Sequence, residues 1–232
     1  RSYCPYCNTM IPFYLNIPIF GWLILRGKTK CCKQKLAMQY PLVEFFTAFM
    51  TVLVYWNFPF FSGSIVNWTI DAQELIYFAH AQIFVILLII CSVIDLNLMI
   101  IPDSISIPMI IVAPFVAILH PGLDVFSSII GIIVGGGSLY SVAWVYYLIR
   151  RQEGMGFGDV KLLAAIGGWL GYQAILPTIL YSSTTGAVLG MLLILARGRT
   201  FQTQIPFGPF LAGGAIVHLL YGHYFQEWLF LP

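Results

Sequence analysis

Two acids in apolar surroundings could do chemistry. Asp95 sits inside the run Ile89–Ile101, and Asp159 opens another apolar run after the stretch Gly154-Met155-Gly156-Phe157-Gly158. An ionised group is costly in hydrocarbon, so an acid at membrane depth marks a functional site unless a structural partner explains it. A helix ending near Ile101 puts Asp95 roughly 9 Å inside that end, at 1.5 Å per residue. From Asp159 to Gly171 a helix spans roughly 20 Å, against a hydrocarbon core of about 30 Å. If Gly171 reaches the far face, Asp159 begins about 10 Å below the near one. The two carboxylates are then expected at one depth, on one side, in a wet cavity. Gly154, Gly156 and Gly158 are expected to supply irregular backbone, tolerated at that depth only where it lines a cavity.

Two carboxylates sharing a site do not both ionise readily, so one keeps its proton. That arrangement hydrolyses peptides without a metal. The ionised acid deprotonates a water that attacks the carbonyl carbon. The protonated acid hydrogen-bonds the carbonyl oxygen and then serves the leaving amine. The structural alternatives are a helix N-cap for Asp159 and an interhelical hydrogen bond for Asp95. Asp103 follows Pro102 and reads as an N-cap, or as lining the same cavity. Glu44, one turn into the first long segment, either faces the helix dipole or lines that cavity. Lys161 lies two positions beyond Asp159, so it projects elsewhere and is expected to extend toward the interface, supporting the loop.

The elements that must position these groups are membrane helices. The chain is 59% hydrophobic and 9% charged, with mean hydropathy +0.88. A soluble domain has about a quarter of its residues charged. The apolar runs do not alternate, which argues against a β-barrel, and no basic stripe suits nucleic acid. The expected class is an all-α polytopic membrane protein with about seven transmembrane helices, near 41–58, 77–99, 105–119, 126–149, 159–171, 174–196 and 206–228. Lys and Arg gather in residues 1–40, at Arg150 and Arg151, and at Arg197 and Arg199. The loops at 59–76 and 120–125 and the tail from Glu227 have none. The positive-inside rule makes the first set cytoplasmic.

Residues 1–40 read as a separate cytoplasmic module, and residues 41–232 as the transmembrane domain. The module holds six of eleven basic residues and four of five cysteines. Cys4-Pro5-Tyr6-Cys7 has the spacing that lets two thiolates share zinc, and Cys31-Cys32 is an adjacent pair that lacks it. Zinc, free thiols and disulfides all stay open. Glycines four apart at Gly131 and Gly135, Gly167 and Gly171, and Gly186 and Gly190 read as helix-packing sites. Trp56, Trp68, Trp169 and Trp228 read as interfacial anchors. His80, His120, His218 and His223 show no ligand spacing.

The sequence resembles the type IV prepilin peptidases, members of the GxGD aspartyl proteases. The resemblance runs through Cys4-Pro5-Tyr6-Cys7, Ile17-Pro18-Ile19-Phe20-Gly21-Trp22, Arg26-Gly27-Lys28 and Tyr40-Pro41-Leu42-Val43-Glu44. It continues with Asp95 and Ile101-Pro102-Asp103, then Gly156-Phe157-Gly158-Asp159-Val160-Lys161, and ends with Ile205-Pro206-Phe207-Gly208-Pro209-Phe210. It implies that Asp95 and Asp159 are the catalytic pair, with no cofactor for proteolysis. It implies bilayer-embedded cleavage of prepilins or pseudopilins after a short basic leader, at the cytoplasmic face of the bacterial inner membrane. Methylation of the new N-terminus from S-adenosylmethionine is implied as the second step. Family members carry a further helix before the first cysteine, so an eight-helix parent is expected. They also carry a second two-spaced cysteine pair, where this chain has Thr29 and then Cys31 and Cys32. Presenilin-like proteases pair their glycine-rich motif with Pro-Ala-Leu, which does not occur here. The alternative from another class is an ion-coupled transporter using the acids as a relay; no internal repeat supports it.

Overall fold

The computed structural model describes residues 2–4, 6–64, 67–152, 155–197 and 205–229. Arg1, Pro5, Gly154 and Arg199 lie outside these residues, as do the side chains of Arg197, Trp68, His223, Glu227 and Trp228. The chain forms two compact units, Arg1–Leu53 and Val54–Pro232, and the division falls within a helix.

The first unit is built from turns. A 3-10 turn, Phe13–Asn16, follows Pro12. The short helix α1, Phe20–Ile24, precedes the long helix α2, Gln39–Asn57. Two antiparallel bridges, Tyr3↔Met10 and Lys28↔Lys35, pinch off two loops. Each loop carries one pair of cysteines, so the backbone presents both pairs from tight turns.

The second unit is helical apart from a small hairpin. Strands β1 (Phe61–Ser64) and β2 (Asn67–Ile70) pair antiparallel with Phe61 opposite Ile70. An all-α chain was expected. Phe, Trp, Thr and Ile favour strands where packing permits, which accounts for this departure. Helix α3, Ala72–Leu98, starts five residues before the predicted 77 because Asp71 caps it, accepting from the amides of Gln73 and Glu74. Five more helices follow: α4 (Asp103–Leu119), α5 (Val125–Arg150), α6 (Phe157–Leu170), α7 (Ile175–Arg197) and α8 (Gly208–Leu229). A 3-10 turn, Tyr172–Ala174, joins α6 to α7.

Among the described residues three helical stretches are long and apolar enough to cross a membrane: Ala72–Leu98, Val125–Arg150 and Tyr172–Ala196. The apolar helices Asp103–Leu119 and Gly208–Gly222 are shorter. Large apolar side chains such as Phe115, Ile118, Ile133 and Leu195 are exposed on these helices, as surfaces turned to lipid tails would be.

Helix α6 is the hub. It packs against α4, α5 and α8 and is buried from Leu162 to Trp169. Two of the three glycine pairs explain how. A Cβ on Gly131 of α5 would overlap the Gly167 carbonyl of α6, and one on Gly167 would overlap the Gly131 carbonyl. A Cβ on Gly135 would lie 2.5 Å from the Leu163 carbonyl oxygen. Gly171 ends α6 at φ +82°. The third pair corrects the reading: Cβ atoms at Gly186 and Gly190 would meet neighbours only at 3.6 Å and 3.8 Å, ordinary contact distances.

Trp169 is also corrected. It is buried, not an interfacial anchor; its indole N–H donates to the Met109 carbonyl at 3.0 Å. It stacks on Phe84 and on the buried His80, and the His120 ring lies 4.4 Å from that of His80. Folding thus joins two histidines that sequence spacing kept apart.

Candidate active site

Asp95 sits in the last turn of α3, where the chain leaves the helix through Met99 in the left-handed conformation. Its side chain is buried. The amide of Gly208, first residue of α8, donates to Asp95 Oδ2 at 2.9 Å. Both partners are buried, and a carboxylate at a helix N-terminus also faces its partial positive charge. A Cβ at residue 208 would lie 2.6 Å from the same oxygen, so this approach requires glycine.

Asp159 comes from the first turn of α6 and is half-buried. It lies close enough to Asp95 for the two carboxylates to interact electrostatically. The N-cap of α6 is Gly156, and the Asp159 amide donates to the Gly156 carbonyl at 3.2 Å. Asp159 therefore stands inside the helix, not at its cap. Gly158 is helical too, which corrects the expectation of irregular backbone there. Its lack of a side chain admits Ile101, whose Cβ would be 3.0 Å from a Cβ on Gly158. Gly156 has an extended backbone at φ −68°, ψ 137°, and only there among the described glycines of this stretch does the irregular reading hold.

Ile101 links the two halves. It is buried, with one end against Gly158 and its Cδ1 3.2 Å from where a Gly208 Cβ would sit. One side chain thus packs against a neighbour of each acid. Close by, Lys161 donates to Asp103 Oδ1 at 2.6 Å, pairing the start of α6 with the start of α4. Its ammonium also lies 5.1 Å from the Phe157 ring centroid. Asp103 is not an N-cap: Pro102 holds that position, and Asp103 is the first helical residue. Lys161 is held by this acid instead of reaching freely toward the interface. Sequence reasoning missed Gly208 and Ile101. The signal was available in the Pro-Phe-Gly-Pro run that leads into α8, which had no assigned role.

The first unit is a separate matter. Glu44, in α2, accepts from the Ile19 amide at 2.7 Å. The four cysteines expected to bind metal come together, with their Sγ atoms all within 4.8 Å of one another. Cys7 and Cys31 are 2.9 Å apart, and Cys4 and Cys32 are 3.8 Å apart. The thiol hydrogen bond from Cys31 pushes Cys7 down to about 6, and the same bond pushes Cys31 up to about 12. A hydrogen bond with Thr29 lowers Cys32. The shared hydrogen bond thus favours the thiolate at Cys7, the form that ligates metal. The adjacent pair is no obstacle, because the turn sets the Cys31 sulfur beside that of Cys7 and the Cys32 sulfur beside that of Cys4.

Comparison with known proteins follows the same two units. Residues 82–191 match the model described as the Type IV leader peptidase family, and residues 1–58 match the Bacterial Peptidase A24 N-terminal domain. A Prepilin leader peptidase/N-methyltransferase of Stutzerimonas stutzeri is 36% identical over 226 residues, covering 96% of this chain and 72% of the relative. The chain belongs to the type IV leader peptidase family. Proteins of the same name from Aeromonas hydrophila and Pseudomonas aeruginosa are each 36% identical, covering 98% and 96% of this chain and 74% and 72% of theirs. No solved structure matches. The family match covers Asp95, Asp103, Asp159 and Lys161 and favours a peptidase over the ion-coupled transporter.

Proposed function

We propose that this member of the type IV leader peptidase family uses Asp95 and Asp159 as its catalytic pair. It cleaves the basic leader from type IV prepilins or pseudopilins at the cytoplasmic face of the bacterial inner membrane. The observation that carries this reading is the convergence of two acids 64 residues apart in sequence (159 minus 95), from the end of α3 and the start of α6, within electrostatic reach. One carboxylate takes a proton from water as its oxygen attacks the scissile carbonyl carbon. The other gives its proton to the departing nitrogen as the C–N bond breaks. Each turnover thus consumes one water and exchanges the roles of the two acids. Gly208 fixes Asp95, and the Lys161–Asp103 pair ties the start of α6 to α4.

The topology that fits this reading has seven membrane crossings, α2 to α8, with residues 1–40 and the acid pair toward the cytoplasm. It rests on the distribution of Lys and Arg. A basic leader held in the cytosol would put its scissile bond, at the head of an apolar helix, beside these shallow acids.

Cleavage is followed by methylation of the new amino terminus. S-adenosylmethionine supplies the methyl group; the amine lone pair forms the new N–C bond, the C–S pair stays on sulfur, and a proton leaves to water. Cys4, Cys7, Cys31 and Cys32 would hold a structural zinc, since their clustered sulfurs match a four-thiolate site. The test is to incubate the purified protein with a prepilin and S-adenosylmethionine and weigh the pilin. Loss of the leader plus one methyl group supports the full reading. An intact prepilin contradicts it, and a cleaved but unmethylated pilin removes the second activity.

A further inference from the structure

The two cysteine loops of the first unit are copies of one backbone motif. Their bridges, Tyr3↔Met10 and Lys28↔Lys35, are related by an offset of 25 residues (28 minus 3). Three backbone hydrogen bonds recur at that offset. The Cys4 amide donates to the Thr9 carbonyl at 2.9 Å, and the Thr29 amide to the Gln34 carbonyl at 2.8 Å. The Asn8 amide donates to the Cys4 carbonyl at 2.9 Å, and the Lys33 amide to the Thr29 carbonyl at 3.2 Å. The Ile11 amide reaches the Ser2 carbonyl and the Leu36 amide the Gly27 carbonyl, both at 2.8 Å. The left-handed residues correspond as well: Asn8 at φ +53° and Lys33 at φ +58°. The side chains hide this repeat, because along residues 3–11 only Cys7 meets an identical residue, Cys32.

The motif puts Thr29 where the first loop has Cys4. Both side chains are buried, 8% and 1% exposed. Cys31 corresponds to Tyr6 instead, a position that faces outward in the first loop. Its sulfur nevertheless lies 2.9 Å from that of Cys7 and 3.9 Å from that of Cys32. The Thr29 hydroxyl is held from two sides. The Gln34 amide donates to Thr29 Oγ1 at 3.0 Å, and the same oxygen lies 3.2 Å from Cys32 Sγ. A metal-bound cysteine is a thiolate and has no hydrogen to give. The hydroxyl hydrogen therefore goes from Thr29 to the Cys32 sulfur. A neutral hydroxyl does not replace a thiolate on zinc, whose ligands are Cys, His and carboxylate groups.

We infer that Thr29 is a positioning residue of the metal site. It stands at a backbone position built for a ligand, leaves the fourth sulfur to Cys31, and orients Cys32 through a hydroxyl-to-thiolate hydrogen bond. Partners of this kind fix the ligating atom, and losing one costs about 10- to 100-fold in metal affinity. The inference rests on the zinc reading above and adds which backbone position each ligand uses.

The test titrates Co²⁺ into the full, metal-free chain in detergent and reads the sulfur-to-cobalt charge-transfer bands. Wild type is expected to show tetrahedral cobalt with four thiolates. Thr29→Ser is expected to bind within about threefold of wild type, with its bands unmoved. Thr29→Val is expected to bind at least about tenfold more weakly. Its bands should move to longer wavelength, because a thiolate that loses a hydrogen bond gives up electron density more readily. Cys31→Ser is expected to lose one sulfur's share of the intensity. Adding Thr29→Cys should restore that share, since the backbone presents position 29 as it presents Cys4. Unmoved bands in Thr29→Val, whatever its affinity, overturn the positioning role. Intensity that Thr29→Cys does not restore overturns the shared ligand position. Both outcomes leave the zinc reading standing; a wild-type chain that takes up no cobalt overturns that reading and the inference with it.

Discussion

The amide of Gly208 donates to Asp95 Oδ2 at 2.9 Å, joining residues 113 apart in the sequence. This bond fixes one acid of the proposed pair through the backbone of another helix, so the last helix contributes to the site without supplying a side chain. Gly208→Ala would put a methyl group 2.6 Å from that oxygen. The carboxylate must then move, and a displacement near 1 Å can cost about 100-fold in rate. The expected result in a prepilin cleavage assay is a kcat lowered by about that factor, with KM within threefold of wild type. Adding Ile101→Val, which makes room on the other side of residue 208, should not restore the rate. Recovery in the double variant would show that Ile101 crowding was the cause.

The Lys161–Asp103 pair is partly solvated, with side chains 24% and 57% exposed. Solvent screens such pairs to about 1 kcal/mol or less. Lys161→Met and Asp103→Asn should each lower thermal stability only slightly, and the double variant should lose no more than the worse single one. Strictly additive losses would show that the two residues act separately.

The contact of α5 with α6 is expected to be far less forgiving. Alanine at Gly131 or Gly167 would drive a methyl group into a facing carbonyl, and overpacking of this kind costs about 1–3 kcal/mol or more. Both variants should show a lower melting temperature in detergent. Alanine at Gly137, where a Cβ would meet nothing within 4 Å, should melt like wild type. Equal melting of all three would refute the close packing.

Elemental analysis should find one zinc per chain. Cys7→Ser should lower that content, and a chelator should strip it, with the first unit losing its protection from protease because binding and folding are coupled. Stoichiometric zinc in Cys7→Ser would exclude this cluster as the site.

The chain's helices were legible because their apolar runs are long and bounded by Pro, Gly and Asp; each predicted segment has its counterpart among α2–α8. The acids were legible because Asp95 interrupts such a run and Asp159 opens one. What could not be read was anything set by packing between distant segments. Trp169 carries no mark that distinguishes an anchor from a core residue, and its bond to Met109 spans 60 positions. Asp103 looked like a cap because Pro102 precedes it; its partner Lys161 lies 58 positions away. The hairpin at Phe61–Ile70 was too short for its pattern to stand out. Gly158 resembled loop chemistry because the side chain that fills its place, Ile101, comes from another helix end.

The central claim is that Asp95 and Asp159 act as one catalytic pair. Cleavage of a purified prepilin should be measured with Asp95→Asn and Asp159→Asn in reconstituted membranes, after confirming that both variants melt like wild type. The expected result is that each substitution alone lowers the cleavage rate by at least about 1,000-fold, the scale for residues that act as a unit, and that the double variant is no slower. Cleavage at the wild-type rate by either folded variant would contradict the account.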